Sequence, residues 1–146
     1  MKRAAGAALL LAAGFACGRM SRAPAPPAQA GVRLVSGVVH AAEPPLRREG
    51  WGSWRRYVKG DAAGTRDLLV SGFTLDPGQA PHPPHQHPED ELMILAAGSG
   101  QWQVDGKESA AGAGDVTYVA GGVMHGLRNT GTAPLTYYIV RWSAAR

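Results

Sequence analysis

One cysteine among 146 residues has no partner within its own chain, so no disulfide framework holds this fold. Charge is also sparse: Asp, Glu, Lys and Arg make up 18% of the chain. Its distribution matters more than its amount. Residues 1–30 contain Lys2, Arg3, Arg19 and Arg22 and no acid, so the remainder carries 11 basic and 11 acidic residues. The net charge of +4 therefore belongs to the N-terminal segment. No basic stripe remains to track phosphates, which excludes a nucleic-acid partner. From Val32 onward there is no helical stripe of convincing length and no helix-turn-helix segment, which excludes a helical bundle and a transcription regulator. What the chain does have is 20 glycines and 11 prolines, the punctuation of a turn-rich all-β fold. Its length suits one domain with a single core.

Lys2 and Arg3 precede an apolar run from Ala4 to Ala16 that is too short to span a bilayer but right for the core of an export signal. Two cleavage sites are open. Ala28-Gln29-Ala30 is a small-x-small site ahead of Gly31, and Gly14-Phe15-Ala16-Cys17 resembles a lipoprotein box in which Cys17 becomes the lipidated first residue. The stretch from Ser21 to Ala30, rich in Pro and Ala, reads as an extended tether. Residues 1–30 are thus expected to be export signal and tether. Residues 31–146 are expected to form the functional domain, periplasmic or membrane-anchored through Cys17, alternatively secreted.

Short apolar runs separated by turn residues predict strands over Val32–Val39, Trp54–Val58, Leu68–Leu75, Glu91–Ala96, Gln101–Val104, Asp115–Val119, His125–Arg128 and Leu135–Trp142. Asp105-Gly106 is a two-residue hairpin signal, because both positions tolerate positive φ. About eight short strands at this spacing suit a small closed double sheet.

The chemistry is concentrated in histidine. In His85-Gln86-His87 the two imidazoles would share one face of a strand, roughly 6.5–7 Å apart at Cα. Pro88 cannot donate to a ladder, so a turn through Glu89-Asp90 is expected to return Glu91 beside them. Such a pair with a following carboxylate suits a divalent transition metal. His82 lies in a stiff Pro-rich loop, where an exposed position is the simpler reading and a place at a pocket rim the alternative. Met93 and Leu95 share parity with Glu91 and are expected to fill the barrel. Gln101 and Gln103 share a face of the next strand. Trp51, Trp54, Trp142, Tyr137 and Tyr138 read as core or sheet-covering aromatics.

His85-x-His87-x3-Glu91-x6-Gly98 matches the first cupin motif without a gap, apart from a leading glycine that stands one residue early, at Gly78. Gly114, Gly122, His125 and Asn129 match the second motif at each fixed position except its proline, which is Ala120 here. Between Leu68 and Trp142 the chain therefore resembles a small single-domain cupin, with motifs at 78–98 and 114–129. The resemblance implies an all-β double-stranded β-helix, a jelly-roll barrel, with His85, His87, Glu91 and His125 lining its interior as metal ligands. Three imidazoles and one carboxylate suit one divalent transition metal (Mn, Fe, Ni, Cu or Zn) and disfavour Ca or Mg. Four protein ligands in an octahedral shell leave two positions open, as a catalytic ion requires.

Fold alone does not give a reaction. The expected function is a small metal-dependent enzyme of dioxygenase, isomerase or decarboxylase type acting on a small polar or phenolic molecule. The alternative is a non-enzymatic, metal-dependent small-molecule binding module. No Ser or Cys nucleophile stands out, nor a general acid beyond Glu91. The expected partners are a small-molecule ligand, a membrane only through Cys17, and a second copy paired along Val32–Val39 as a homodimer.

Overall fold

The structure, a computed structural model, describes residues 31–144; the expected export signal, Cys17 and the site after Ala30 lie outside them. Regular structure among the described residues is entirely β. Nine strands follow in order: β1 Arg47–Glu49, β2 Gly52–Gly60, β3 Thr65–Leu75, β4 Asp90–Ala97, β5 Ser99–Val104, β6 Lys107–Gly112, β7 Val116–Val119, β8 His125–Arg128 and β9 Leu135–Ala144. They form a six-stranded sheet, β1-β2-β3-β9-β4-β7, and a three-stranded sheet, β6-β5-β8. The strand pairs are antiparallel, and the two sheets face each other as a double-stranded β-helix.

Period-two alternation decides what points into the barrel. On β4 the inward residues are Glu91, Met93 and Leu95; on β9 they are Leu135, Tyr137 and Ile139. The small sheet contributes Trp102 and Leu127. Leu75, Leu95 and Leu135 are wholly buried, each worth about 2 kcal/mol over exposure. Ile94 and Val116, on the opposite face of β4 and β7, are apolar as well. Such two-sided strands read as continuous apolar runs, which is why β4 and β9 were recognisable.

Three expectations are corrected. Val32–Val39 is not a strand. It meets the barrel at a bridge from Arg33 to Asp61, with the Leu34 side chain against Gly60, and Val35 and Val38 are 90% and 78% exposed. Valine favours strands only where a neighbour and a buried face exist, and the sheet edge expected here is not formed within the chain. Conversely, Lys107–Gly112 (KESAAG) is strand β6, although the sequence reading places none there. The hairpin turn dictates it: Asp105 and Gly106 have φ of 50° and 72°, and β6 returns along β5 from Val104↔Lys107 to Ser99↔Gly112. A three-residue strand, β1, is also added along β2.

Asn129 ties the motif segments together. Its Nδ2 donates to the carbonyls of Leu75 (3.0 Å) and Ala133 (2.9 Å), its Oδ1 accepts from Gly131 N–H (2.9 Å), and it is fully buried. Its backbone also exchanges hydrogen bonds with Gly78 and Gln79. Gly78, one residue early against the motif, still makes the turn with φ of 77°. Asn129→Ala strands the buried Leu75 carbonyl and removes the partners of two part-buried groups at Gly131 and Ala133, and urea unfolding should show a loss of about 2 kcal/mol. A loss under about 1 kcal/mol would mean that water replaces the amide.

Candidate metal centre

The two motifs meet through backbone. His85 and His125 form an isolated antiparallel bridge, with N–H to carbonyl distances of 2.9 and 2.8 Å. Gly122 N–H donates to the His87 carbonyl at 2.7 Å, and Gly121 N–H to Asp90 Oδ1 at 2.9 Å. A Cβ on Gly121 would collide with the Pro88 carbonyl, so the Gly121-Gly122 turn lets the loop carrying His87 lie against it. His85 and His87 therefore converge without the expected hairpin strand. Their rings lie 5.3 Å apart, and those of His85 and His125 4.6 Å. Glu91 arrives from the start of β4, next to both.

The hydrogen bonds orient the imidazoles. His125 Nδ1 lies 2.9 Å from the Val123 carbonyl and His87 Nδ1 3.1 Å from the Glu89 carbonyl. A carbonyl only accepts, so Nδ1 carries the proton and the Nε2 lone pair faces inward. Both Nε2 atoms are buried without a hydrogen-bond partner among the described residues, as is His85 Nδ1. Ligand atoms of His85, His87 and His125 lie within 4.8 Å of one another. Glu91 closes the group, with Oε2 3.4 Å from His87 Nε2 and Oε1 3.5 Å from His125 Nε2. Lone pairs and carboxylate oxygens pointed at each other in a buried space are repulsive unless a cation lies between them. The donor set thus fits a divalent transition metal.

The electrostatics agree. The Glu91 carboxylate pulls the pKa of His125 upward, because a proton on Nε2 relieves that repulsion. His85 is pushed the other way, to about 4, first by burial and then by its neighbours His82, His125 and His87. Burial, with Glu91 second, raises the Tyr137 hydroxyl.

The chamber beside these ligands is small, about 40 Å³, and is lined by Phe73, Met93, Leu127, Tyr137 and Ile139. A water needs roughly 10–15 Å³ on the same footing, so an ion and a few ligand atoms fill it. His82, expected as an exposed loop residue, is exposed but sets its ring edge-on to His85 at 4.1 Å, at the chamber's rim. Gln101 and Gln103 face away from the chamber. They line a groove of about 570 Å³ on the other face of β5 and β8, roofed by Pro81, Pro83 and Pro84. That groove is larger, but none of the four expected ligands lines it.

Residues 72–141 match the cupin domain family. This is a cupin-domain protein. Among solved structures, an RmlC-like cupin from Shewanella frigidimarina superimposes with a TM-score of 0.61 at 19% identity, over 77% of this chain and 94% of that one. A predicted oxalate decarboxylase from Thermotoga maritima gives 0.60 at 25% identity, over 73% and 99%. KdgF from Halomonas gives 0.61 at 19%, over 77% and 96%. No curated protein matches the chain.

Sequence reasoning missed one charged residue of this cupin's interior. Arg141 follows Tyr137 and Ile139 at period two on β9 and stands opposite Glu91 in the register. The alternation Leu135-x-Tyr137-x-Ile139-x-Arg141 was the available signal: a guanidinium on a face otherwise apolar.

Proposed function

We propose that this cupin is an exported, metal-dependent enzyme. In this reading His85, His87, Glu91 and His125 hold one divalent transition metal (Mn, Fe, Ni, Cu or Zn). It acts on a small polar or phenolic molecule by dioxygenase, isomerase or decarboxylase chemistry. The observation that carries the reading is the convergence of three buried, unpartnered imidazole nitrogens on one carboxylate. Such an ion supplies Lewis-acid polarisation of a substrate oxygen. The chain's own residues do the rest. The carbonyls of Val123 and Glu89 hold two imidazoles in the ligating tautomer. Phe73, Met93, Tyr137 and Ile139 keep bulk water from the ligands. His82 stands where a substrate enters. The likeness to the Thermotoga protein favours the decarboxylase member of the three classes.

Elemental analysis of the untagged protein, followed by turnover assays on oxalate and on a panel of small hydroxy acids and phenols, tests this reading. One transition-metal ion per chain and turnover lost on chelation are expected. Bound metal with a co-purified ligand and no turnover would make the protein a binding module instead. Zinc as the resident ion would remove dioxygenase chemistry.

Export through a lipid anchor on Cys17 is part of the proposal. Cys17→Ser should release the domain from membranes, and blocking lipoprotein processing should leave a larger precursor. A Cys17→Ser protein that fractionates as before would end the anchor, though not export by cleavage after Ala30.

A further inference from the structure

The six-stranded sheet is wider than the three-stranded one facing it, and its concave face continues past the metal ligands onto β3 and β2. Register places three rows there. Glu91 on β4 aligns with Arg141 on β9, Leu69 on β3 and Lys59 on β2. Met93 aligns with Ile139, Ser71 and Arg56. Leu95 aligns with Tyr137, Phe73 and Trp54. The last row is an aromatic wall. Phe73 stacks on Tyr137 at 5.0 Å and Trp54 on Phe73 at 6.3 Å, so the surface lining the chamber runs on to the half-buried Trp54.

Over Trp54 lie two guanidinium groups, Arg56 at 5.5 Å and Arg47, from β1, at 5.4 Å. Arg56 and Lys59 are exposed on this face. Arg141 lies deeper, with its Nε buried and without a hydrogen-bond partner among the described residues. Among the described residues none of the four cations has a carboxylate in ion-pair range, although Glu91 stands directly opposite Arg141; the ion pairs formed there all belong to histidines. Glu49, the nearby acid on β1, is taken up by Trp54 Nε1 at 3.4 Å. A buried guanidinium donor without an acceptor is costly, and four unpaired cations on one concave face repel each other. An anionic ligand removes both costs. A guanidinium stacked on an indole also keeps its N–H edge free for a planar acceptor.

We propose that this concave face is a subsite for an anionic group, a carboxylate or a phosphate, on the substrate, with Arg141 and Arg56 as its binding residues and Trp54 and Phe73 as the wall the substrate's body lies along. The substrate role rests on the metal-dependent reading above; the binding of anions does not. The substrate is then an anionic small molecule whose charged end is recognised beside, not at, the ligand cluster.

Isothermal titration with malonate and with inorganic phosphate, at physiological ionic strength, tests the subsite in protein stripped of metal by chelator and in untreated protein. Both forms should bind at least one of the two anions, and neutral malonamide should not bind. Arg56→Gln, an exposed substitution that cannot unfold the barrel, and Arg141→Gln should each weaken binding by at least about tenfold with metal content unchanged. Arg141→Lys should restore part of it. A preference for malonate assigns the group as a carboxylate, and a preference for phosphate assigns a phosphate. Equal affinity of wild type and the Arg56→Gln/Arg141→Gln double variant, or no anion binding by the metal-stripped wild type, overturns the subsite. A protein that never holds metal but loses anion binding on these substitutions keeps the subsite and overturns the metal reading instead.

Discussion

Stripping metal from this cupin should lower its melting temperature by roughly 10–20 °C at pH 7.5 and leave it nearly unchanged near pH 4.5. The size follows from linkage. A metal at about a hundredfold over its Kd stabilises the folded state by about 2.7 kcal/mol, and a domain near 100 residues shifts about 4–8 °C per kcal/mol. The pH dependence follows from competition between metal and protons for the same lone pairs. His85 has a folded pKa of about 4, below its unfolded 6.5. Its contribution to stability is therefore present above pH 6.5 and lost as pH falls through 4. His125 is raised, so without metal its contribution is present below 6.5 and lost as pH rises through the folded value. Metal reverses the balance at His125, since it binds only the deprotonated ring. The metal increment is accordingly full above the raised pKa of His125 and fades in stages as pH falls, first as His125 takes up its proton and last as His85 does near 4. Melting curves with and without chelator across that range measure it. A chelator-insensitive melting temperature at pH 7.5, in a sample shown to hold metal, would refute the coupling of metal to fold stability. Equal increments at both pH values would mean that histidines are not the main ligands.

His87→Ala and His125→Ala should each abolish stoichiometric metal, whereas His82→Ala should leave occupancy nearly unchanged. Removing one of four ligands deletes a donor that nothing nearby replaces. The remaining imidazoles then face a carboxylate with too few donors to displace the ion's water, and at least a hundredfold loss of affinity is expected by comparison with the 10–100-fold cost of losing a mere orienting partner. His82 differs although its ring lies only 4.1 Å from that of His85. Its Nδ1 lies 3.0 Å from the Pro83 carbonyl, and it stands outside the converging cluster. Its removal should widen the entrance and speed metal exchange rather than weaken the site. Elemental analysis and competition with a chromogenic chelator measure both quantities. A His82→Ala protein as metal-poor as His87→Ala would mean that the wrong imidazoles have been chosen. Comparison of His125→Ala with His125→Asn controls for the void left by a residue that is 1% exposed.

Much of this was legible in the chain. Both motifs lie in continuous segments whose spacing is set by turns, and turns are local. Gly78, Gly98, Gly106, Gly114 and Gly122 all adopt positive φ, where other residues are strained. The apolar runs of β4 and β9 announced themselves because both of their faces are apolar. The failures have equally local causes. KESAAG carries no apolar pattern, since β6 is largely exposed and owes its existence to pairing with β5. The valines of Val32–Val39 carry strand propensity but meet no strand to pair with.

By itself, then, the sequence determined the type of fold, the residues with metal-ligating chemistry and the balanced charge beyond the N-terminal segment, because each depends on residue type and short-range spacing. Only the tertiary structure decided how those residues meet. It joined His85 to His125 by a bridge, limited the chamber to about 40 Å³ and, of the two positions open to His82, set it at the rim. It also set Arg141 opposite Glu91 and Arg56 over Trp54 on one open face. The reason is physical. Period and propensity act between neighbours in the chain, whereas register between strands, and with it the grouping of charges on a shared face, is settled by packing across the whole barrel.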